Sequence, residues 1–132
     1  MKVKLIKQFL RFGIIGTLVF GFEAGILYGL THYLPWSIYY CRLLSFIPAV
    51  ILAWWLNRRF TFISIKGMRW WRELLRYCAV NALGSLVNLG AFFLVLHFVA
   101  LIKPFPIAAL AIGSVAGMFF NFISSKIWVF YR

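Results

Sequence analysis

Residues 12–32 read FGIIGTLVFGFEAGILYGLTH, and from Phe12 to Cys41 the only formal charge is Glu23. A helix of about 20 apolar residues crosses a hydrocarbon core about 30 Å thick, so this stretch predicts a transmembrane helix. Beyond it, a Pro35-Trp36-Ser37 turn leads into a second apolar run, 38–57, with Arg42 near its start and Pro48 inside. Pro48 removes a backbone donor and is expected to kink that helix, which membrane proteins tolerate where neighbours satisfy the freed carbonyl. No formal charge occurs from Tyr77 to Ile102, nor between Lys103-Pro104-Phe105-Pro106 and Ser125. The expected architecture is an all-α membrane protein, one transmembrane domain over residues 1–132 with spans near 12–32, 38–57, 76–99 and 105–125. A cleavable signal peptide fits the N-terminus poorly, because the apolar stretch is too long, is not ended cleanly by a small-x-small site and is interrupted by Glu23.

Composition points the same way. Of 132 residues, 64% are hydrophobic and only 12% charged, half the share of about 25% in a soluble domain. Glu23 and Glu73 are the only acids against fourteen Lys and Arg, which nearly excludes carboxylate-pair hydrolysis and an acidic Mg²⁺ or Ca²⁺ cage. A net charge of +12 suggests an anionic partner. The hydrophobicity overrides nucleic acid and leaves anionic phospholipids or a phosphorylated lipid.

Lys2, Lys4, Lys7, Arg11, Arg58, Arg59, Lys66, Arg69, Arg72, Arg76, Lys126 and Arg132 fall at the N-terminus, the central loop and the C-terminus, whereas Arg42 and Lys103 fall toward the other side. By the positive-inside rule, both termini and the central loop are expected in the cytoplasm. Tyr33, Trp36, Tyr39 and Tyr40 would then form an outer aromatic belt, and Trp55, Trp70, Trp71, Trp128 and Tyr131 an inner one. The central loop, 58–73, carries Met68-Arg69-Trp70-Trp71-Arg72, suited to the headgroup plane as an anchor or as a gate for lipid. Cys41 and Cys78 begin spans on opposite faces and are not expected to pair.

The chain also reads as a duplication. Arg11-Phe12 precedes the first span as Arg76-Tyr77 precedes the third, a shift of 65 that also sets Glu23 against Asn88 and Gly25 against Gly90. Arg58-Arg59-Phe60-Thr61-Phe62 matches Lys126-Ile127-Trp128-Val129-Phe130 at a shift of 68. Two tandem helical hairpins of the same orientation follow, unlike the inverted repeats of many transporters.

Glu23 lies 12 residues after Arg11, about 18 Å along a helix and near mid-bilayer, where a charge costs roughly 2.5–3.5 kcal/mol. It is either a helix-tying side chain or a participant in substrate or proton handling. Asn81, Ser85 and Asn88 recur at steps of four and three on the third helix, and Asn121, Ser124 and Ser125 end the fourth. They suit either interhelical hydrogen bonding or a path for a sugar headgroup. Gly113-x-x-x-Gly117 offers a small-residue packing face. Arg11, Arg58, Arg59, Arg76 and Lys126 mark helix ends where they either set topology or grip a phosphate. Arg42, against the charge rule, would meet a phosphate at the outer face or pair with Glu23. His32 and His97 have no Cys or carboxylate cluster around them, so no metal site is expected, and no phosphate loop or nucleophile elbow occurs.

Phe9-Leu10-Arg11-Phe12-Gly13-Ile14-Ile15-Gly16-Thr17, Leu56-Asn57-Arg58-Arg59-Phe60-Thr61-Phe62 and Ser125-Lys126-Ile127-Trp128-Val129-Phe130 together resemble the GtrA-like family of small membrane proteins, over essentially the whole chain. The sequence departs from that pattern at Gly16, where many members carry Asn. The resemblance implies four helices, a bacterial cytoplasmic membrane location and non-enzymatic flipping of a polyprenyl-phosphate-linked sugar for a membrane glycosyltransferase of a cell-surface polysaccharide pathway. It adds Asn57 to the candidate substrate-binding residues, implies no cofactor, and leaves room for a homodimer. The alternatives are a non-transporting glycosyltransferase scaffold and a proton-coupled exporter similar to the small multidrug transporters. The charge asymmetry disfavours the latter.

Overall fold

A computed structural model describes residues 2–104 and 106–130. It contains α1 (Lys2–Tyr33), α2 (Ile38–Phe60), α3 (Trp70–Phe98) and α4 (Pro106–Ser124), the last continued by a π-helical turn, Ser125–Val129. All four helices are long and apolar enough to cross a membrane, and among the described residues there is no strand. Tyr131, Arg132 and the side chain of Tyr39 lie outside the described residues.

The helices outrun the apolar segments. α1 begins ten residues before Phe12, because Lys, Leu and Gln are good helix formers whatever their polarity. α3 begins at Trp70, so Trp70, Trp71 and Arg72 form its first turn rather than part of a loop. Glu73 also falls in that turn, where a carboxylate suits the positive end of the helix dipole. The segment between α2 and α3 shortens to 61–69 and turns at Gly67, whose φ of +81° favours glycine. Pro48 lies inside α2, which continues through it.

The chain divides into two compact units, Met1–Lys66 and Gly67–Arg132. Each is an antiparallel helical hairpin. In hairpin 1, Gln8, Phe12, Ile15 and Val19 of α1 are buried toward a row on α2 that includes Cys41, Ser45, Ala49, Ala53 and Asn57. In hairpin 2, α3 buries Glu73, Tyr77, Val80 and Gly84, the same four positions shifted by 65. Ala109, Gly113, Gly117 and Ser125 are buried on the other side of hairpin 2, matching Cys41, Ser45, Ala49 and Asn57 at a shift of 68. The duplication is therefore carried by the packing as well as by the motifs.

Both rows keep a four-residue register, that of hairpin 2 passing over the half-buried Asn121, and consist mostly of small side chains, which let helix backbones approach where lipid supplies no hydrophobic drive for association. The outward faces are apolar: Ile14, Leu18 and Phe20 of α1 and Leu86, Leu89 and Phe93 of α3 are exposed, as suits contact with lipid chains. Close approach is tightest in hairpin 2. A methyl group built on Gly113 would lie 2.6 Å from the Asn88 carbonyl oxygen, whereas one on Gly90 meets nothing within 4 Å. Gly113→Ala is therefore expected to destabilise the protein by about 1–3 kcal/mol through overpacking. Gly90→Ala should leave the melting temperature in detergent unchanged or raised, and equal melting of the two variants would contradict this packing.

Candidate functional site

The last carbonyls of a helix have no partner within it. In hairpin 1, α1 supplies partners for the end of α2: Arg11 Nη1 donates to the Phe60 carbonyl at 3.1 Å and Gln8 Nε2 to that of Thr61 at 3.3 Å. Phe12 meets Phe62 edge to face at a centroid distance of 6.0 Å. The Phe62 N–H reaches back five residues to Asn57 O at 2.9 Å, widening the final turn as in a π-helix.

Hairpin 2 repeats this closure. Arg76 Nη1 donates to the Trp128 carbonyl at 3.2 Å, Tyr77 meets Phe130 at 6.1 Å, and the Phe130 N–H donates to Ser125 O at 2.8 Å. These partners are related by the same shifts of 65 and 68. We call this end of each hairpin, where its first helix begins and its second ends, the basal end.

Between α1 and α2 at the basal end of hairpin 1 lies an open groove of about 510 Å³, lined by Ile14, Ile15, Leu18, Leu56 and Phe60 together with Arg11 and Arg59. That volume falls in the range of ligand sites, and its lining combines apolar side chains with two arginines. The neighbouring cations are engaged elsewhere. Arg58 Nε donates to Ser64 Oγ at 2.9 Å, and its guanidinium lies 5.3 Å from the Trp54 ring. Arg59 is exposed and, among the described residues, has no partner.

The other candidates from the sequence are placed as follows. Glu23 is half-buried along α1 and Arg42 is exposed near the start of α2. They form no ion pair, which corrects that expectation. Glu23 stands ten residues before the end of α1 and Arg42 four after the start of α2, so at 1.5 Å per residue they differ in height by about 9 Å. Asn57 is buried and donates to its own helix at the Ala53 carbonyl. In hairpin 2, Asn81 and Ser85 likewise donate to Tyr77 O and Asn81 O of their own helix. Asn88 lies against Gly113 and Gly117, and Asn121 against Gly84. Ser125 is buried in the π-helical turn, Lys126 is half-buried beside it, and the Arg76 guanidinium lies 5.8 Å from the Trp128 ring. No group of three or more His, Cys, Asp or Glu converges among the described residues.

The sequence reading passed over Gln8 and Glu73, which are 6% and 0% exposed and occupy the same register of the two hairpins. The shift of 65 aligns them, but their letters differ and both lie outside the charge-free runs. Because hairpin 1 places an amide at this position, Glu73→Gln is expected to keep the melting temperature of the wild type. Glu73→Ala should lose about 1–3 kcal/mol; equal losses in the two variants would show that the carboxylate itself is required.

A family model described as GtrA/DPMS, transmembrane domain, matches residues 8–130. The chain is also 26% identical over 133 residues to YngA, an uncharacterized membrane protein of Bacillus subtilis (strain 168), an alignment covering 98% of this chain and 81% of that protein. No solved structure matches. The family match spans all four helices and both basal closures, and this chain of two duplicated helical hairpins therefore belongs to the GtrA/DPMS transmembrane-domain family.

Proposed function

We propose that this protein flips a polyprenyl-phosphate-linked sugar from the cytoplasmic to the outer leaflet of a bacterial cytoplasmic membrane, for use by a membrane glycosyltransferase of a polysaccharide pathway. The observation that carries this reading is the basal groove of hairpin 1, where two arginines border an apolar wall. An anionic lipid presents the complementary chemistry, a phosphate for paired guanidinium donors and a hydrocarbon chain for the wall. Family membership is consistent with such a lipid.

In this reading the basal ends, with both termini, face the cytoplasm, because twelve of fourteen cations lie in the segments flanking them. Arg11, Arg58, Arg59, Arg76 and Lys126 draw the phosphate inward while the polyprenyl tail stays in lipid. Glu23, Asn81, Ser85 and Asn88 supply hydrogen-bond partners as the sugar crosses, since a polar group in hydrocarbon without them costs several kcal/mol. Asn57, Asn121 and Ser125 hold the helix contacts beside this route, and Arg42 meets the phosphate near the outer face. No covalent chemistry is needed, and a homodimer would widen the path.

Purified protein in liposomes with a short-chain polyprenyl-phosphate sugar is expected to accelerate leaflet transfer over protein-free liposomes. Absence of acceleration would refute transport. Glu23→Gln is expected to reduce transfer at least tenfold without changing the melting temperature. Unchanged transfer across the pH range would reduce Glu23 to a packing residue.

A further inference from the structure

The two hairpins share a closure and differ in one cation beside it. Arg11 corresponds to Arg76 and Arg58 to Lys126, but the residue that corresponds to Arg59 is Ile127. Hairpin 1 thus sets two arginines on one groove, while hairpin 2 offers an exposed isoleucine at the matching register and lays the Trp128 ring near Arg76.

The donors available in hairpin 1 suit a single phosphate. Arg11 uses Nη1 on the Phe60 carbonyl and keeps further N–H donors of its five. Arg59 is exposed and has no partner among the described residues. Two forks on one anion give charge-assisted bonds roughly twice as strong as neutral ones. Ile14, Leu18 and Leu56 continue the groove as hydrocarbon, which has no use for a water-soluble phosphate and fits one attached to a single chain.

We propose that hairpin 1 alone holds the phosphate of the carrier lipid, gripped by Arg11 and Arg59 with the first isoprene units along Ile14, Leu18 and Leu56, and that hairpin 2 lacks this site. Each chain then binds one carrier. The identity of the lipid rests on the translocation reading; the place and number of sites rest on the geometry.

The test is equilibrium binding to the purified full chain in detergent, with stoichiometry from native mass spectrometry. The probes are a short-chain polyprenyl monophosphate, the uncharged polyprenol, phosphatidylglycerol and inorganic phosphate. One polyprenyl phosphate per chain is expected. Arg59→Ile, which writes the residue of hairpin 2 into hairpin 1, should raise Kd at least tenfold with an unchanged melting temperature, and Lys103→Gln should leave Kd unchanged. If Arg59→Ile does not fold, Arg59→Gln carries the same tenfold expectation. Two lipids per chain, wild-type affinity after loss of Arg59, or equal binding of the polyprenol would overturn the site. So would displacement of the probe by phosphatidylglycerol or inorganic phosphate at equal concentration. Binding as expected without leaflet transfer would support the site and refute transport. Transfer at the wild-type rate by Arg59→Ile would refute the site and leave transport standing.

Discussion

A helix that leaves hydrocarbon must satisfy its final carbonyls before water can, and a backbone group left unpaired in that medium costs several kcal/mol. In each hairpin the donor that meets this need comes from the other helix: Arg11 for Phe60 and Arg76 for Trp128. A bond between the start of one helix and the end of the next also sets their register. Once Arg11 reaches Phe60, Phe12 falls against Phe62, and the four-step row of Cys41, Ser45, Ala49 and Ala53 is buried between the helices. Two long cylinders with weak lateral attraction acquire one alignment in this way.

The same constraint explains which positions the two hairpins share. The arginine, the aromatic pair and the five-residue backbone bond recur in both, because each belongs to the closure. Positions away from it have diverged. Val19 and Ser45 of hairpin 1 become Gly84 and Gly113 in hairpin 2, and the space gained lets Asn121 lie against Gly84 and Asn88 against Gly113. Hairpin 2 brings the amides of Asn88 and Asn121 into its helix contact, at the positions of Glu23 and Ala53 in hairpin 1, so one scaffold carries two interiors.

The four helices and the duplication were legible because a membrane demands long charge-free runs and because the closure leaves recognisable residues at both ends of each hairpin. The helix starts were not. Apolar content measures the span, whereas α1 and α3 continue through Lys2, Lys4 and Lys7 and through Trp70, Trp71 and Arg72 on helix propensity. The grouping of Asn81, Ser85 and Asn88 was half legible. Their spacing places them near one another, but the buried row of α3 runs through Glu73, Tyr77, Val80 and Gly84. Asn81 and Ser85 each follow that row by one residue, about 100° around the helix, and bond within α3. Asn88 continues the row and reaches α4. Pairing of Glu23 with Arg42 failed for a simpler reason, a mismatch in height along two aligned helices that residue types do not encode.

The same cations are open to three demands: closing helix ends, which Arg11 and Arg76 do, orienting a chain in the membrane, and meeting anions. An arginine that closes a helix is required whether or not a ligand exists, so Arg11 and Arg76 are weak evidence of binding taken alone. Arg58, held by Ser64 and Trp54, is similarly accounted for by packing. Arg59 closes nothing and borders an apolar groove, and its counterpart in the duplicated hairpin is uncharged. Since the closure forms in hairpin 2 without a cation at that register, Arg59 is not needed for closure, which leaves it to orient the chain or to meet an anion, and the proposed phosphate site takes the second of these roles.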